Sequence, residues 1–316
     1  MPTLYHTKAS YSVPPPLKVG DRVALTATAR KITLSELQAA IELLGSWGLV
    51  PVIGNTIDQS YRQFSDTDAR RAADLQHYLD RDDIRAIWCA RGGYGTARFI
   101  DRLDWAIFAR QPKWLVGYSD ITALHCHIGR QLGISSLHAT MPVNIATNTS
   151  AALQSLYNAL FGKPLTYPPI APNALNRAGR ATGRLVGGNL SVLYSLAATP
   201  SDLLPDSCIL FLEDLDEYLY HIDRMMLALY RSGKLTRLAG IVVGGMTDMR
   251  DNIIPFGKNA QEIIAEYVAE YDYPVLFDFP AGHIANNQAL VMGGNYVLDI
   301  PTQAPATLQY LPDLLQ

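Results

Sequence analysis

Ser119 lies where an apolar run ends and a helix-like segment begins, within Gly117-Tyr118-Ser119-Asp120. The run Trp114–Val116 predicts a buried strand, and apolar residues at helical spacing from Ile121 predict a helix. A serine at a strand-to-helix turn is held rigidly beside helix amides that can stabilise a developing oxyanion, so Ser119 is a candidate nucleophile. The alternative is an ordinary helix N-cap.

A carboxylate and a histidine in the second half of the chain can supply acid and base. Glu213 ends the apolar run Ile209–Leu212, and a carboxylate that emerges from packed surroundings normally needs a partner. His283 lies in a loop after a predicted strand, where an imidazole can turn toward a pocket. The order Ser119, Glu213, His283 is that of nucleophile, acid and base in one class of hydrolase triads. In the alternative, these groups are simply solvated.

Glycines directly follow the predicted strand Ile84–Ala90, in Arg91-Gly92-Gly93-Tyr94-Gly95. Glycine permits positive φ and a close approach of backbone N–H groups to a ligand, so this turn can provide half of an oxyanion hole. It does not match a phosphate loop, because no Lys-Ser/Thr follows and no third glycine stands at Arg98. The alternative is a tight turn without chemistry.

Metal and carbohydrate chemistry have weaker support. Glu217 and His221 are spaced to share a cation on a helix, but HExxH is absent and no second histidine lies at ligand spacing. Pairing of Glu217 with Arg224 is therefore favoured. A glycosidase-like carboxylate pair stays open, because sequence does not supply the separation between carboxylates. No metal and no cofactor is predicted.

Alternating strand-like and helix-like segments must position these residues. The predicted strands of the first half are 22–27, 49–53, 84–90 and 114–116, and the predicted helices are 34–47, 66–79, 96–103 and 121–132. This alternation predicts an α/β protein with a Rossmann-like or flavodoxin-like parallel sheet. Its site should lie at the carboxyl edge of the strands.

A proline-rich stretch after a predicted helix, 151–161, separates the two halves of the chain. Beyond it, strands are predicted at 208–213, 239–244 and 275–278, and helices at 190–198, 218–232 and 260–271. We therefore expect an N-terminal domain over 1–162, a linker over 163–182 and a C-terminal α/β domain over 183–316.

Composition excludes several classes of protein. The 316 residues are 48% hydrophobic and 17% charged, with a net charge of −3 and no long basic run, so a nucleic-acid partner is not expected. No apolar run is long enough for a membrane span, and Met1–Gly20 does not resemble a secretory signal. Cys89, Cys126 and Cys208 lie in apolar stretches, which favours buried free thiols. We expect a cytoplasmic location and no membrane partner.

Five motifs occur in order along roughly Val19–Leu298. They are Ala90–Arg98, Gly117–Thr122, Gly187–Ser191, Phe211–Asp214 with Ile222–Arg224, and Gly282-His283. Together they resemble the LD-carboxypeptidase (muramoyltetrapeptide carboxypeptidase) family of serine peptidases. The resemblance implies an N-terminal parallel-sheet domain that bears the nucleophile, a C-terminal domain that bears acid and base, and a site in the cleft between them.

The resemblance also implies a role for each site residue. Ser119 would be the nucleophile, Glu213 the acid and His283 the base. The oxyanion hole would be formed by the backbone N–H of Asp120 and one from the glycine turn, Gly93 or Gly92. The family suggests a homodimer. A cation is expected for the substrate carboxylate, and Arg91 and Arg184 are candidates.

The substrate implied by the resemblance is a muropeptide. Family members cleave the bond between meso-diaminopimelate and terminal D-alanine in murein tetrapeptides during cell-wall recycling. Others hydrolyse microcin C-type peptidyl-nucleotides, for which an additional aromatic loop is expected. The segment between Glu213 and His283 carries only ordinary helix and strand signals, which favours the muropeptide. A non-enzymatic two-domain ligand-binding protein is the remaining alternative.

Overall fold

Two six-stranded sheets with flanking helices form the computed structural model, which describes residues 11–312. The first ten residues, which hold His6 and half of the Met1–Gly20 segment, and the last four lie outside the described range. The α/β class expected from the alternation of strands and helices is confirmed.

Strands and helices alternate along most of the described chain. The strands are β1 (Arg22–Thr26), β2 (Val50–Ile53), β3 (Ile84–Cys89), β4 (Trp114–Gly117), β5 (Ser136–His138), β6 (Gly179–Asn189), β7 (Cys208–Leu215), β8 (Gly240–Thr247), β9 (Val275–Leu276), β10 (Leu290–Met292), β11 (Asn295–Ile300) and β12 (Thr307–Leu311). The helices are α1 (Gln38–Ser46), α2 (Asp68–Asp80), α3 (Ala106–Arg110), α4 (Thr122–Leu132), α5 (Ser150–Leu160), α6 (Leu190–Ser195), α7 (Leu219–Arg231) and α8 (Ala260–Tyr267). Within residues 11–312, no helix has the length and apolarity needed to span a bilayer.

The helix predicted over 96–103 is wrong. Two 3₁₀ turns, Thr96–Arg98 and Ile100–Arg102, occupy this segment, and Phe99 between them has φ −126°, outside the helical region. The amide of Thr96 donates a 2.9 Å hydrogen bond to the side chain of Asp120, so the start of the segment is anchored to a distant loop. This tertiary contact overrides the apolar spacing of the segment.

The first sheet has the strand order β10-β5-β4-β3-β1-β2. All neighbours are parallel except β10, which pairs antiparallel with β5. Because the chain passes from β1 to β2 on one side and later adds β3 on the other, the strand order reverses between β1 and β3. In α/β sheets a crevice opens at such a reversal, outside the carboxyl ends of the strands.

The second sheet has the order β12-β11-β6-β7-β8-β9. Strands β6 to β9 are parallel, and β11 and β12 extend the sheet antiparallel. Strand β6 begins at Gly179, inside the segment predicted as a linker, and β10 crosses from the second half of the chain into the first sheet. The two halves are therefore joined by more than one connection.

Helix α4 packs the first half against the second sheet. Its Ala123 and Cys126 belong to an apolar cluster with Leu210 and Leu212 of β7. At the start of the helix, the Thr122 hydroxyl accepts a 3.0 Å hydrogen bond from the amide of Asn189. The helix that follows Ser119 is therefore fixed to the end of β6.

We expect Gly188→Ala to destabilise the protein by ~1–3 kcal/mol, because Gly188 has φ +137° and an added Cβ would lie 2.6 Å from Thr122 Oγ1. Urea unfolding followed by circular dichroism measures the change. The control is Gly45→Ala in α1, where an added Cβ has nothing within 4 Å and alanine should stabilise the helix by up to ~1 kcal/mol. Equal stabilities for Gly188→Ala and wild type would contradict the expected close contact.

Candidate active site

Ser119 lies just beyond the carboxyl end of β4, at the first position of a 3₁₀ turn that leads into α4. Its φ is +63°, a left-handed conformation that costs a non-glycine residue ~1–3 kcal/mol. No side-chain hydrogen bond caps the 3₁₀ turn or α4, so the alternative of an N-cap serine is wrong. A strained strand-to-helix turn is also how α/β-hydrolases present a nucleophilic serine.

The glycine turn after β3 lies against Ser119. A Cβ added to Gly92 would be 3.0 Å from the Cβ and 3.1 Å from the Oγ of Ser119. Gly93 has φ +113°, which only glycine adopts readily. Within the described part of the chain, the amides of Gly93 and Asp120 donate no hydrogen bond to a backbone carbonyl, so both are available to a ligand.

The side chain of Asp120 connects the serine turn to the glycine turn. It is 5% exposed and accepts the hydrogen bond from the Thr96 amide, directly after Gly95. Burial raises the pKa of Asp120, and hydrogen bonds from Thr96 oppose that shift. Only the backbone of Asp120 was expected to take part in the site, so this bracing role of its side chain was missed.

Glu213, near the end of β7, and His283, in the loop after β9, form a buried pair. The Nδ1 of His283 lies 2.6 Å from the Glu213 Oε2, and because a carboxylate only accepts, the ring nitrogen donates. The two side chains are 0% and 13% exposed, respectively. Burial alone would raise the pKa of Glu213 and lower that of His283, but their attraction and hydrogen bond outweigh burial. The pKa of the acid is therefore lowered and that of the imidazole is raised.

Close packing at Gly282 permits this pair. Gly282 has φ +102°, and a Cβ there would lie 2.8 Å from both the Cβ and the Oε2 of Glu213. On the side of Glu213, the pairing of β7 with β8 shifts register between Leu212 and Asp214. Such a bulge re-aims side chains. Here it accompanies two consecutive carboxylates that are both buried but have different partners.

Asp214 is held by donors other than His283. Its carboxylate accepts from the Asn189 side chain at 2.8 Å and from the Ser191 amide at 2.9 Å, at the start of α6. Burial, followed by the charge of Glu213, raises the pKa of Asp214 to about 7. Glu213, and not Asp214, is thus the acidic residue that reaches the histidine.

His283 lies beside the serine turn. Its ring contacts that of Tyr118 edge-on, with centroids 4.8 Å apart, and Tyr118 directly precedes Ser119. Its carbonyl accepts a 3.0 Å hydrogen bond from Thr247 of β8. Seven residues later the chain enters β10 in the first sheet. The structure therefore brings all three residues of the predicted triad to the boundary between the two sheets.

The other acidic residues after β7 have ordinary partners. Glu217 Oε2 lies 2.5 Å from the Nδ1 of His221, whereas the guanidinium of Arg224 stacks on Tyr220 at 5.3 Å. The predicted pairing of Glu217 with Arg224 is therefore wrong, because the i,i+4 histidine takes the carboxylate. Among the described residues, no group of three or more His, Cys, Asp or Glu side chains could hold a metal ion.

Two buried histidines near the site were given no role from the sequence. His125 of α4 lies 2.9 Å from the Gly117 carbonyl and 2.8 Å from the Ser136 hydroxyl, and burial lowers its pKa to about 4. His138 of β5 is 0% exposed, packs its ring on Phe211, and has its pKa lowered to about 3 by burial. Both are neutral supports of the serine turn, and their apolar sequence context gave no sign of it.

Neither Arg184 nor Arg91, the two candidates for binding the substrate carboxylate, has its guanidinium available beside Ser119. Arg184 pairs in register with Cys208 at the amino end of β7, remote from the carboxyl edge, and its guanidinium lies 4.2 Å from the Tyr11 ring. Arg91 donates to the Lys31 carbonyl at 3.2 Å and lies 3.8 Å from Glu36. The three cysteines are buried free thiols, as predicted, and burial raises the pKa of Cys89 to about 12.

The structure is a two-sheet α/β protein in which a strained serine lies beside a buried carboxylate–histidine pair. Serine hydrolases use this arrangement, so the fold and the site together define that class of protein. The chain belongs to the LD-carboxypeptidase family: residues 23–139 match the model of the family's N-terminal domain and residues 182–298 that of its C-terminal domain. It is thus a member of a family of hydrolytic carboxypeptidases.

Relatives over nearly the whole chain agree with this assignment. The murein tetrapeptide carboxypeptidase of Pseudomonas aeruginosa is 32% identical over 295 residues, which are 89% of this chain and 94% of the relative. The crystal structure of muramoyltetrapeptide carboxypeptidase from Oxalobacter formigenes superposes with a TM-score of 0.82 at 25% identity, covering 92% of this chain and 99% of that one. The microcin C7 self-immunity protein MccF has a TM-score of 0.84 at 20% identity, covering 95% and 98%, and shares the fold.

We expect the pKa of His283 to lie above 6.5 in the wild type and to fall below 6.5 in Glu213→Gln, because the substitution removes the charge but not the burial. The ring Cε1–H chemical shift, followed by NMR against pH and assigned with His283→Gln, measures both values. Glu217→Gln is the matched control, because it removes the carboxylate that pairs with His221. An unchanged His283 titration in Glu213→Gln would refute the coupling.

Proposed function

We propose that this protein is a serine LD-carboxypeptidase that releases terminal D-alanine from murein tetrapeptides in cell-wall recycling. The observation that carries the proposal is the buried Glu213–His283 pair beside the strained Ser119, in a chain that belongs to the LD-carboxypeptidase family. The similarity to the murein tetrapeptide carboxypeptidase of Pseudomonas aeruginosa supports this choice of substrate.

In the proposed mechanism, His283 accepts the Ser119 hydroxyl proton while Oγ attacks the scissile carbonyl carbon. Glu213 holds the imidazole in one tautomer and stabilises its cation. The oxyanion accepts hydrogen bonds from the amide of Asp120 and that of Gly93 or Gly92. His283 then donates the proton to the departing D-alanine nitrogen, and a water molecule, deprotonated by His283, hydrolyses the acyl-enzyme and frees Ser119.

The two alternatives have less support. Likeness to the microcin C7 self-immunity protein MccF extends to the fold at 20% identity, and the same triad chemistry would serve either substrate. In a protein that only binds a ligand, the buried carboxylate of Glu213 and the strained backbone of Ser119 would lower stability without serving the function. Both alternatives are outcomes of the experiment below.

We further propose the division expected above, 1–162 with the nucleophile, 163–182 as the linker and 183–316 with acid and base, in which the last residues of the linker already form the start of β6. The gap between the two matched family regions, 23–139 and 182–298, supports a boundary in this part of the chain. We also propose a cytoplasmic homodimer. The three buried free cysteines support a reducing compartment, and the family resemblance supports the dimer.

We expect Ser119→Ala to lower kcat for D-alanine release from UDP-MurNAc-tetrapeptide by roughly 10⁴–10⁶, because the nucleophile is removed. Released D-alanine is quantified by chromatography, with EDTA present in a parallel reaction. Ser46→Ala is the control, since that hydroxyl only donates to the Leu43 carbonyl at the end of α1.

Three results would contradict the proposal: full activity of Ser119→Ala, loss of activity in EDTA, or faster turnover of a peptidyl-nucleotide than of the tetrapeptide. The last result would favour the microcin-type function. Binding of the tetrapeptide by the wild type without turnover would favour the ligand-binding alternative.

A further inference from the structure

A carboxypeptidase must recognise the free carboxylate of the residue that it removes. A guanidinium is well suited to this task, because it can form two parallel charged hydrogen bonds with a carboxylate. The carboxylate lies on the leaving-group side of the scissile bond, so its partner must lie close to the serine and the glycine turn. An arginine near this turn that has no other partner is therefore the natural candidate.

Most of these arginines are already engaged. Arg98 binds Asp68 through two nitrogens, and Arg71 is fully buried between Phe64 and Phe99. Arg250 forms an ion pair with Asp216, and Arg91 donates to the Lys31 carbonyl and lies beside Glu36. An additional guanidinium lies in the loop that follows β1, against the glycine turn that follows β3.

That arginine is Arg30, which lies across the glycine turn. A Cβ added to Gly93 would be 2.6 Å from Arg30 Cδ and 2.8 Å from its Nε, so the absence of a side chain at Gly93 leaves the space that Arg30 occupies. Arg30 is exposed, and within residues 11–312 its guanidinium has no hydrogen bond or ion pair. Its charge is therefore available to a ligand.

The distance from the serine leaves room for a single residue. Ser119 Oγ would lie 3.1 Å from a Cβ on Gly92, and Arg30 Nε 2.8 Å from one on Gly93. With adjacent Cα atoms ~3.8 Å apart and two Cα–Cβ bonds, Oγ and Nε are at most ~13 Å apart. An attack distance of ~3 Å, one residue of ~3.5 Å and a hydrogen bond of ~2.9 Å need ~9–10 Å.

We propose that Arg30 binds the C-terminal carboxylate of the substrate and so makes the enzyme a carboxypeptidase rather than an endopeptidase. This inference rests on the proposed function. The position of Arg30 at the strand-order reversal agrees with it, because ligands of α/β sheets bind in that crevice. Gly93 would then serve twice, as an amide donor and as the space for the Arg30 side chain.

The experiment combines two substrates with four proteins. The substrates are UDP-MurNAc-tetrapeptide with its free carboxylate and the same compound ending in D-alaninamide. The proteins are the wild type, Arg30→Gln, Arg30→Lys and Arg110→Gln. Arg110 ends α3 before β4 begins, so its substitution removes one exposed charge away from the carboxyl edge. The measurement is kcat/KM for release of D-alanine or D-alaninamide.

We expect the wild type and Arg110→Gln to prefer the acid by about 10–100-fold, the worth of a charged hydrogen bond. Arg30→Gln should lose that preference by acting more slowly on the acid while its rate on the amide stays the same. Arg30→Lys should keep part of the preference, because it retains the charge but not the paired geometry.

Two results would overturn the inference while leaving the proposed function intact. One is an equal loss on both substrates in Arg30→Gln, which indicates a role in the oxyanion hole or in structure. The other is an unchanged preference for the acid. Release of neither product by the wild type would refute the proposed function, and the inference with it.

Discussion

The burial of one charge organises this site. Glu213 has 0% exposure, and an ionised carboxylate removed from water costs several kcal/mol unless a cation or donors face it. His283 is that partner, and much around the pair serves their contact: a glycine without a side chain at 282, a register shift in β7, and a chain path that returns to the first sheet after the histidine. The pair is thus a structural necessity as well as a chemical one.

Hydrogen bonds from neighbouring segments hold the strained backbone at Ser119. Left-handed backbone at a serine persists only where its surroundings hold it. The ring of His125 hydrogen-bonds the Gly117 carbonyl, and the carboxyl group of Asp120 accepts from the Thr96 amide. The hydroxyl of Thr122 accepts from the amide of Asn189, at the end of β6 in the other sheet. These three contacts reach three different parts of the chain. The turn is therefore set by tertiary structure, and its geometry depends on both sheets.

Sequence patterns predicted the parts of this arrangement that are local. Buried parallel strands are continuous apolar runs, so β1, β3 and β4 were identified, and with them the turns that carry Ser119 and the glycines. Glu213 and His283 followed from the same logic of strand ends. Contacts between distant residues were not predicted: the hydrogen bond to Thr96, where a helix was expected at 96–103, and the bracing by Asp120. Strands of three residues, such as β5 and β10, were also missed, because they are too short to produce a recognisable pattern.

The antiparallel strand at the edge of the first sheet sets an order of events during synthesis. Residues 136–138 emerge from the ribosome long before residues 290–292, so the nascent N-terminal half has an open edge until residues 290–292 are made. The same late segment carries His283, and it ties down the earlier half through hydrogen bonds of Thr149 with Ala285 and of Ala289 with Ser155. A chain translated only as far as β9 contains Ser119 but not His283. Pairing of β10 with β5 thus completes the first sheet and fixes the segment that follows His283 against the first half of the chain.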